Sequence, residues 1–328
     1  MKVLLTGADG MLGSSITREL LDSGFEVRAM IFPGSPAGTL KGLDIEVISG
    51  NLLNLQDTEK AVAGCDAIIH CAGDTNTWPA RSARTRAVNV DGTANMIRAA
   101  LNSNISRFIY TGSASSFGFG TREKPGTEAS PYVGFKYGLD NVDSKYEGLK
   151  LVLNAWQQHQ LQAVAIAPTF MFGPYDTKPG SGRMILSAKQ RKVPAICKGG
   201  KNFVYSRDVA IAHVNALSKG RPGECYIAGN VNLSYSEILP VIAEIVHSRP
   251  PKFHIPNSLM KATGLISSLM GRLFDFEPTL TAEMAIVACD SQFFDCSKAV
   301  RELEMPQTDI REAISAAYDW FRQNGYCD

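Results

Sequence analysis

The chain has 328 residues, of which 45% are hydrophobic and 20% charged, and its formal net charge is +1. This composition is typical of a globular protein with a sizeable core, and the near-neutral charge gives no reason to expect nucleic acid or a membrane as partner. Seven cysteines without a C-x-x-C pair argue against a disulfide framework or a structural zinc site. The sequence shows no signal peptide and no apolar run of about 18 residues, so we expect a cytoplasmic protein.

Short apolar segments alternate with amphipathic ones through the first half of the chain. "KVLLT" precedes the helical spacing of "MLGSSITRELLDSG", "EVRAMIF" follows, and the alternation continues to "AVAIAP". Strands separated by helices predict an α/β fold with a doubly wound parallel sheet and a second, smaller substrate domain. We expect residues 1–168 to form a dinucleotide-binding domain to which 203–229 return. Residues 169–202 and 230–328 would form mainly the substrate domain. One later segment, "LMKATGLISSLMGRLF", predicts an amphipathic helix.

A glycine-rich loop, "TGADGMLG", joins the first strand to the first helix. Gly7 permits the tight turn, Gly10 lets the backbone approach a pyrophosphate, and Gly13 allows the helix to pack closely on the strand. The backbone amides near Met11 and Leu12 open the helix and favour an anion. Because the motif opens a βαβ unit, it predicts a dinucleotide-binding site.

The end of the second strand bears on the choice between NAD and NADP. Sites for NAD usually place an acid there to hold the ribose 2′-hydroxyl, but this strand ends at Ile31–Phe32 without one. Arg28 sits inside the strand, whereas Ser35 and Lys41 follow it and could reach a 2′-phosphate. We therefore expect NADP in preference to NAD.

Several later stretches resemble motifs of the extended short-chain dehydrogenase/reductases within the NAD-dependent epimerase/dehydratase superfamily. They are "GNLLN" at 50–54, "HCAG" at 70–73, "NVDGTANM" at 89–96, "YTGSASSFG" at 110–118 and "APTFMFGPYD" at 167–176. The resemblance covers nearly the whole chain and is closest to the dihydroflavonol 4-reductase-like and 3β-hydroxysteroid dehydrogenase-like branch. It implies a Rossmann fold and hydride transfer at a nicotinamide.

The same resemblance implies positions for the cofactor and for one catalytic residue. It assigns the catalytic serine to Ser113. Asn89 would either lie near the cofactor or brace the backbone. The residues expected beside the cofactor are Phe32, Asn51, Leu52, Cys71, Ala72, Gly73, Thr111, Pro168, Thr169 and Phe170.

The catalytic tyrosine and lysine of the family, spaced by four residues on one helix, have no simple counterpart here. Tyr132 and Lys136 have the spacing, but Gly134 and Gly138 make their segment a poor helix. The distance along the chain to Pro168 and the surrounding "DSKYEGLKLVL" favour Lys145, with Asp140 or Asn141 as helix N-cap. The tyrosine position of the family then falls on Asn141.

Three interpretations of this segment stay open. Tyr132 or Tyr137 in the flanking loop reaches the site and replaces the missing phenol; or Tyr132 and Lys136 are the working pair; or the site lacks a tyrosine. In the last case the chain performs altered chemistry or only binds a dinucleotide.

The expected activity is NAD(P)-dependent reduction or oxidation of a small carbonyl or alcohol. Ser113 would hold the substrate oxygen, a loop tyrosine would donate the proton, and Lys145 would bind the ribose. One alternative is an NDP-sugar epimerase or dehydratase, with Arg183 and Arg207 contacting the diphosphate. Another is a dinucleotide-binding protein with an altered or inactive site. The partners considered are a small-molecule substrate and a second copy in a homodimer, and neither nucleic acid nor a membrane is expected.

Overall fold

The computed structural model describes residues 1–193 and 195–327. Among them, parallel strands form a large sheet in the order β10-β6-β5-β4-β1-β2-β3. These strands are β1 (Lys2–Thr6), β2 (Glu26–Ile31), β3 (Glu46–Ser49), β4 (Ala67–His70), β5 (Arg107–Thr111), β6 (Ala163–Pro168) and β10 (Cys225–Ala228). The order reverses between β1 and β4, and ligands of such sheets bind at the carboxyl ends of the strands at this point. The predicted α/β, doubly wound fold is confirmed.

Helices cover both faces of the large sheet and also pack in the second, smaller part of the chain. They are α1 (Met11–Asp22), α2 (Leu55–Val62), α3 (Ala83–Arg86), α4 (Gly92–Leu101), α5 (Asp140–His159), α6 (Arg183–Lys189), α7 (Ser206–Lys219), α8 (Tyr235–Ile245), α9 (Asn257–Leu273), α10 (Ala282–Ala288), α11 (Ser297–Leu303) and α12 (Ile310–Gln323). Of these, α1, α7 and α11 pack on one face, and α2, α4 and α5 on the other. Val3, Leu4 and Leu5 are fully buried because β1 has a helix layer on each side.

A second, smaller set of strands follows β6. A four-stranded sheet consists of β7 (Phe170–Phe172), β9 (Gly200–Tyr205), β11 (Val231–Ser234) and β13 (Ser291–Gln292), and a two-stranded sheet pairs β8 (Ala195–Ile196) with β12 (Phe253–His254). Phe172, Phe203 and Phe321 are among the side chains in the core of this part. Of the segment 203–229, residues 203–205 belong to this smaller sheet, whereas α7 and β10 pack with the large one.

The helix that carries Lys145 begins earlier than its predicted N-cap. α5 starts at Asp140, and Leu139 occupies the N-cap position without a capping side chain. The expectation that Asp140 or Asn141 caps the helix is therefore wrong. The carboxylate of Asp140 instead accepts hydrogen bonds from the Ser82 amide (2.7 Å) and the Arg81 guanidinium (2.8 Å). Both carboxylate oxygens of Asp140 are thus bound to Arg81 and Ser82 and do not cap the helix.

Candidate active site

The glycine-rich loop lies at the reversal of strand order, between β1 and α1. Gly7 has φ +71°, and a Cβ there would lie 2.7 Å from the Cα of Ala72, the second residue after β4. A Cβ at Gly13 would collide with the carbonyl oxygen of Gly7, whereas the space at Gly10 is open apart from that same oxygen. Thus Gly7 and Gly13 are required by packing, and Gly10 keeps the mouth of the loop free for a ligand.

Buried hydroxyl and imidazole groups join β1 to β4 beneath this loop. The Thr6 hydroxyl and a ring nitrogen of His70 are 2.8 Å apart, the other ring nitrogen lies 3.2 Å from the Thr93 hydroxyl, and the Ala72 amide donates to Thr6. Burial, with the nearby charge of Lys145, lowers the pKa of His70 to about 3. His70 is a neutral brace of the strand end.

Lys145 is the cation at the carboxyl edge of the sheet. Its side chain is only 7% exposed, and its Nζ donates to the carbonyl oxygen of Thr111 at 3.0 Å. A Cβ at Gly73 would lie 2.9 Å from this Nζ, so the ammonium group fills the space that the glycine leaves open after β4. Burial lowers the pKa of the Lys145 ammonium. Within the residues that the structure describes, one acceptor is bound to this ammonium group, which has three N–H donors.

Asn141 lies one turn before Lys145 on α5. Its Nδ2 donates to the backbone oxygen of Thr75 at 2.6 Å. Behind it, Asn89 receives a hydrogen bond from the Asp74 amide (2.7 Å) and donates to the Asp74 oxygen and the Ser144 hydroxyl, each at 2.9 Å. These bonds tie the loop after β4 to the first turns of α5. They support the bracing role considered for Asn89, and they fix the surroundings of Asn141.

The Tyr132 side chain lies against a different part of α5. Its hydroxyl donates to the Asp143 carboxylate at 2.5 Å, and its ring stacks on Tyr146 at 4.1 Å. Helix geometry puts Asp143 about 160° around α5 from Lys145. Burial and the Asp143 carboxylate raise the pKa of Tyr132 well above its ordinary value. This phenol is held away from the lysine and in its protonated form.

Lys136 and Tyr137 point to a shared carboxylate in the second half of the chain. The Asp290 carboxylate lies 2.8 Å from the Lys136 Nζ and accepts a hydrogen bond of 2.6 Å from the Tyr137 hydroxyl. Burial and Asp290 raise the pKa of Tyr137. Residues 134–137 form a separate short 3₁₀ helix, so Tyr132 and Lys136 do not share a helix face, and their side chains contact different partners.

Ser113 follows β5 and opens a short 3₁₀ turn. Its half-buried hydroxyl lies 2.8 Å from the Ser115 hydroxyl and accepts a hydrogen bond from the Ser115 amide. Two positions earlier, the Thr111 hydroxyl lies 2.9 Å from a ring nitrogen of His213, while its carbonyl oxygen receives Lys145. The end of β5 thus places Ser113 two residues after Thr111, whose carbonyl oxygen binds the lysine.

Comparisons with known proteins identify the family of the chain. The model of the NAD dependent epimerase/dehydratase family matches residues 3–229. A candidate dihydroflavonol 4-reductase from Synechocystis is 30% identical and aligns over 98% of this chain and 95% of that protein. Sterol demethylase protein B from Methylococcus capsulatus is 28% identical over 99% of both. The crystal structure of gox2253 superposes with a TM-score of 0.87 at 30% identity, covering 99% of each chain.

The chain belongs to the NAD-dependent epimerase/dehydratase family. It is an NAD(P)-dependent oxidoreductase of the extended short-chain type, as its sequence predicts. Among the described residues, no helix combines the length and the apolar character needed to cross a membrane.

The residues present fit the nicotinamide dinucleotide that this family uses. A loop closed by Gly7 and Gly13 stays open at Gly10, the first amides of α1 at Met11 and Leu12 face the same mouth, and the buried Lys145 ammonium has free donors. The remaining residues of the predicted site lie at the carboxyl ends of the strands. They are Phe32 after β2, Asn51 and Leu52 after β3, Cys71 to Gly73 after β4, Thr111 in β5, Pro168 in β6, Thr169 after it and Phe170 in β7.

Arg28 lies inside β2, and the structure shows its contacts. This guanidinium lies 2.9 Å from Glu46 and donates to the carbonyl oxygens of Ala61 and Ala63, at the opposite end of β2 from the cofactor loop. Arg28 is therefore bound to groups on the side of the sheet away from the cofactor loop. Ser35 does lie beside the loop, where its hydroxyl donates to the carboxylate of Asp9.

Sequence reasoning missed Lys201 and its partners. Lys201, on β9, donates to Gln292 at 2.6 Å, and its Nζ lies 5.5 Å above the ring of Phe170. Burial lowers the pKa of Lys201 to about 8, while the charge of Asp290 opposes the shift. The side-chain amide of Gln292 also donates to the Tyr137 hydroxyl at 3.1 Å. A lone lysine at the start of an apolar strand carried no signal of this cluster.

The candidate diphosphate contacts differ in their surroundings. Arg207 is bound to Glu19 at 2.7 Å on the surface between α1 and α7. Arg183 begins α6, where its charge acts on the buried Asp176. These contacts give no support to a joint role of the two arginines at a nucleotide-sugar diphosphate.

Proposed function

We propose that this chain transfers a hydride between NAD(P) and the carbonyl or alcohol carbon of a small, mainly apolar substrate. The observation that carries the proposal is the buried Lys145 ammonium, held beside Gly73 with unused donors. An apolar cluster of Ala80, Leu139 and Val287 packs near the start of α5. Relatives named for dihydroflavonols and sterols support a substrate with fused or linked rings.

Ser113 and Lys145 have distinct roles in this proposal. The Lys145 ammonium would hold the ribose of the bound dinucleotide through its remaining donors and would raise the local positive potential. The Ser113 hydroxyl, oriented by Ser115 at 2.8 Å, donates to the substrate oxygen. When bound, the nicotinamide supplies the hydride. As hydride reaches the carbonyl carbon, the π-electron pair moves to the oxygen, where the Ser113 hydrogen bond stabilises the developing charge.

The proton that this oxygen then takes does not come from Tyr132 or Tyr137 in our proposal. Both phenols donate to carboxylates, and both have raised pKa values, which is the reverse of what an acid near neutral pH requires. Asn141 stands where the family has its phenol, so we propose that a water molecule held by the Asn141 amide relays the proton. The water takes its replacement proton from solvent.

The coenzyme preference belongs to the same proposal. We propose that NADP is preferred because no acid follows β2 and because Ser35 and the exposed Lys41 flank the adenosine side. The Asp9 carboxylate beside Ser35 opposes this preference, since it would repel a 2′-phosphate. The preference is therefore expected to be modest.

Steady-state kinetics with a panel of cyclic ketones and secondary alcohols tests the chemistry. Ser113→Ala should lower kcat by roughly 100-fold or more, because the substrate oxygen loses its donor. Tyr132→Phe and Tyr137→Phe should each change kcat by less than about threefold. A large loss in either phenylalanine variant would instead identify a loop tyrosine as the proton donor.

One observation favours a second function. Asn141 cannot donate a proton as a phenol does, so the chain could bind a dinucleotide without turnover and act as a regulatory protein. Calorimetry that detects NADPH binding, together with no turnover across the panel and unchanged behaviour in Ser113→Ala, would support that function over the first.

We further propose a cytoplasmic homodimer formed through α4 and α5. A groove of about 320 Å³ runs between these helices and is lined in part by Ala94, Leu101 and Leu151. Light scattering after gel filtration should give twice the chain mass. Replacement of Leu151 by glutamate should give the single-chain mass, because two copies of the new charge would meet across a twofold axis.

A further inference from the structure

Helix α9 packs against the protein with its small residues and exposes its large ones. Gly264, Ser268 and Gly271 are the buried residues of this helix. A Cβ at Gly264 would lie 2.5 Å from the Ala285 side chain, and one at Gly271 would lie 2.8 Å from the Phe276 carbonyl oxygen. A helix that faced only water on its outer side would bury leucines and expose polar residues. The orientation of α9 is the reverse.

The outward face of α9 is a continuous apolar surface. Helix geometry places its exposed large residues within an arc of about 140°. They are Leu259, Leu265, Ile266, Leu269, Met270 and Leu273, with exposures from 44% to 76%. Phe274 and Phe276 extend this surface at the C-terminal end, at 67% and 48% exposure. An exposed apolar patch of this extent marks an interaction site. We call these eight residues the α9 surface.

Basic residues lie on and near α9, whereas the exposed Asp275 and Glu277 alternate with Phe274 and Phe276 at its C-terminal end. The sequence contains no aspartate or glutamate between Glu244 and Asp275, but it contains Arg249, Lys252, Lys261 and Arg272 there. The pairing of β12 with β8 brings a second basic segment alongside, and Phe253 between them is 73% exposed. The exposed cations of that segment are Arg191, Lys192 and Lys198. Within the described residues, none of these seven cations has a carboxylate within ion-pair distance.

We propose that the α9 surface docks on an anionic lipid bilayer, with α9 lying in the plane of the interface. An anionic bilayer binds helices that present an apolar face flanked by unpaired lysines and arginines. Such helices lie in the interface and do not cross the membrane. The sequence-based expectation of no membrane partner concerned net charge and spanning helices, and it does not address a local surface of this kind.

The position of α9 relative to the active site gives the docking a use. α10 packs against α9 through Ala285, and Val287 of α10 joins the cluster that contains Tyr137 and Leu139. An apolar substrate that partitions into the bilayer would therefore reach the start of α5 from the lipid side. The docking itself does not depend on the proposed reaction.

A second copy of the chain is a poorer occupant. A twofold contact through the α9 surface would bring the unpaired cations of both copies into one interface. Like charges close together destabilise such a contact, whereas phosphate headgroups neutralise them. The charge pattern thus favours lipid over self-association.

Vesicle flotation of the full chain tests the proposal. Liposomes of equal parts phosphatidylcholine and phosphatidylglycerol should carry the protein, and liposomes of phosphatidylcholine alone should carry much less. Binding should weaken as salt is raised. The variant Leu265→Ser/Leu269→Ser/Leu273→Ser should lower the partition coefficient at least about 100-fold, because three leucines no longer enter the interface. Val47→Ser, at a valine 50% exposed on β3, is the matched control and should bind like the unaltered chain.

Two further measurements distinguish lipid docking from unfolding and from self-association. Thermal unfolding of the triple variant should match that of the unaltered chain within a few degrees, since the leucines are exposed. Its light-scattering mass should also be unchanged. Failure of the unaltered chain to bind either liposome would overturn the proposal. So would binding that survives the triple variant, or a loss of self-association in that variant. Turnover on a water-soluble ketone, measured without lipid, reports the proposed reaction separately.

Discussion

Lys145→Met is the substitution that decides which lysine serves the cofactor. Methionine matches the length and apolar stem of the lysine, so it fills the same space beneath Gly73 and removes only the ammonium. The matched control is Lys136→Met, which removes a 41% exposed ammonium bound to Asp290. The two variants distinguish Lys145 from the literal Tyr132 and Lys136 pair.

The structure gives a magnitude for the effect. The Lys145 Nζ has one acceptor, the Thr111 carbonyl oxygen at 3.0 Å, and two donors remain for the ribose hydroxyls. A hydrogen bond to a charged group contributes roughly 1.5–3 kcal/mol, so the dissociation constant for NADPH should rise roughly 10- to 150-fold. Because burial already lowers the pKa of Lys145, removal of its charge relieves a desolvation cost. The melting temperature should therefore stay the same or rise.

The assay is a fluorescence titration with NADPH, paired with thermal unfolding of the same samples. We expect Lys145→Met to lose affinity without losing stability, and Lys136→Met to keep its affinity. The opposite pattern, with affinity lost in Lys136→Met alone, would refute the assignment of Lys145. A loss of both affinity and stability in Lys145→Met would show that the lysine is structural, and the proposal would fail in that case too.

Three other changes have defined outcomes. Asp9→Asn should raise the ratio of kcat/KM for NADPH over NADH by roughly tenfold, because a carboxylate no longer faces the 2′-phosphate; an unchanged ratio would contradict the placement of Asp9. Asn141→Tyr restores the family's phenol one turn from Lys145 and should raise kcat at least about tenfold. The rate of hydride transfer is measured by stopped flow. An unchanged rate would mean that proton transfer is not limiting. Lys201→Met should stabilise the fold, since the folded pKa of Lys201 is lowered from 10.5 to about 8. The gain is complete below pH 8 and disappears as pH rises to the unfolded value, which denaturant titrations at pH 7 and pH 10 would detect.

The fold could be predicted because the pattern of apolar and polar residues in each strand and helix indicates which of its faces are buried. "KVLLT" is apolar throughout since helices cover both faces of β1, and the glycine spacing follows from contacts inside a single turn. The choice of Lys145 could also be made from the sequence, because helices and strands of ordinary length account for the interval between Lys145 and Pro168. The ion pair of Arg28 could not be predicted, because its partner Glu46 belongs to another strand. The strand register brings the two residues together. Lys201 depends in the same way on β13, which lies about ninety residues later.

The retention of Lys145 next to an asparagine has a physical consequence. In the family, the lysine serves both the phenol and the ribose, and a site without the phenol needs the lysine only for the ribose. A buried ammonium with one neutral acceptor leaves much of its desolvation cost uncompensated in the chain itself. A bound dinucleotide would supply the missing acceptors. Lys145 therefore favours a site that still binds its cofactor, whereas Asn141 restricts how a proton can be delivered there. Cofactor binding therefore depends on Lys145 and proton transfer on Asn141, so a substitution at one of these positions can alter one function without the other.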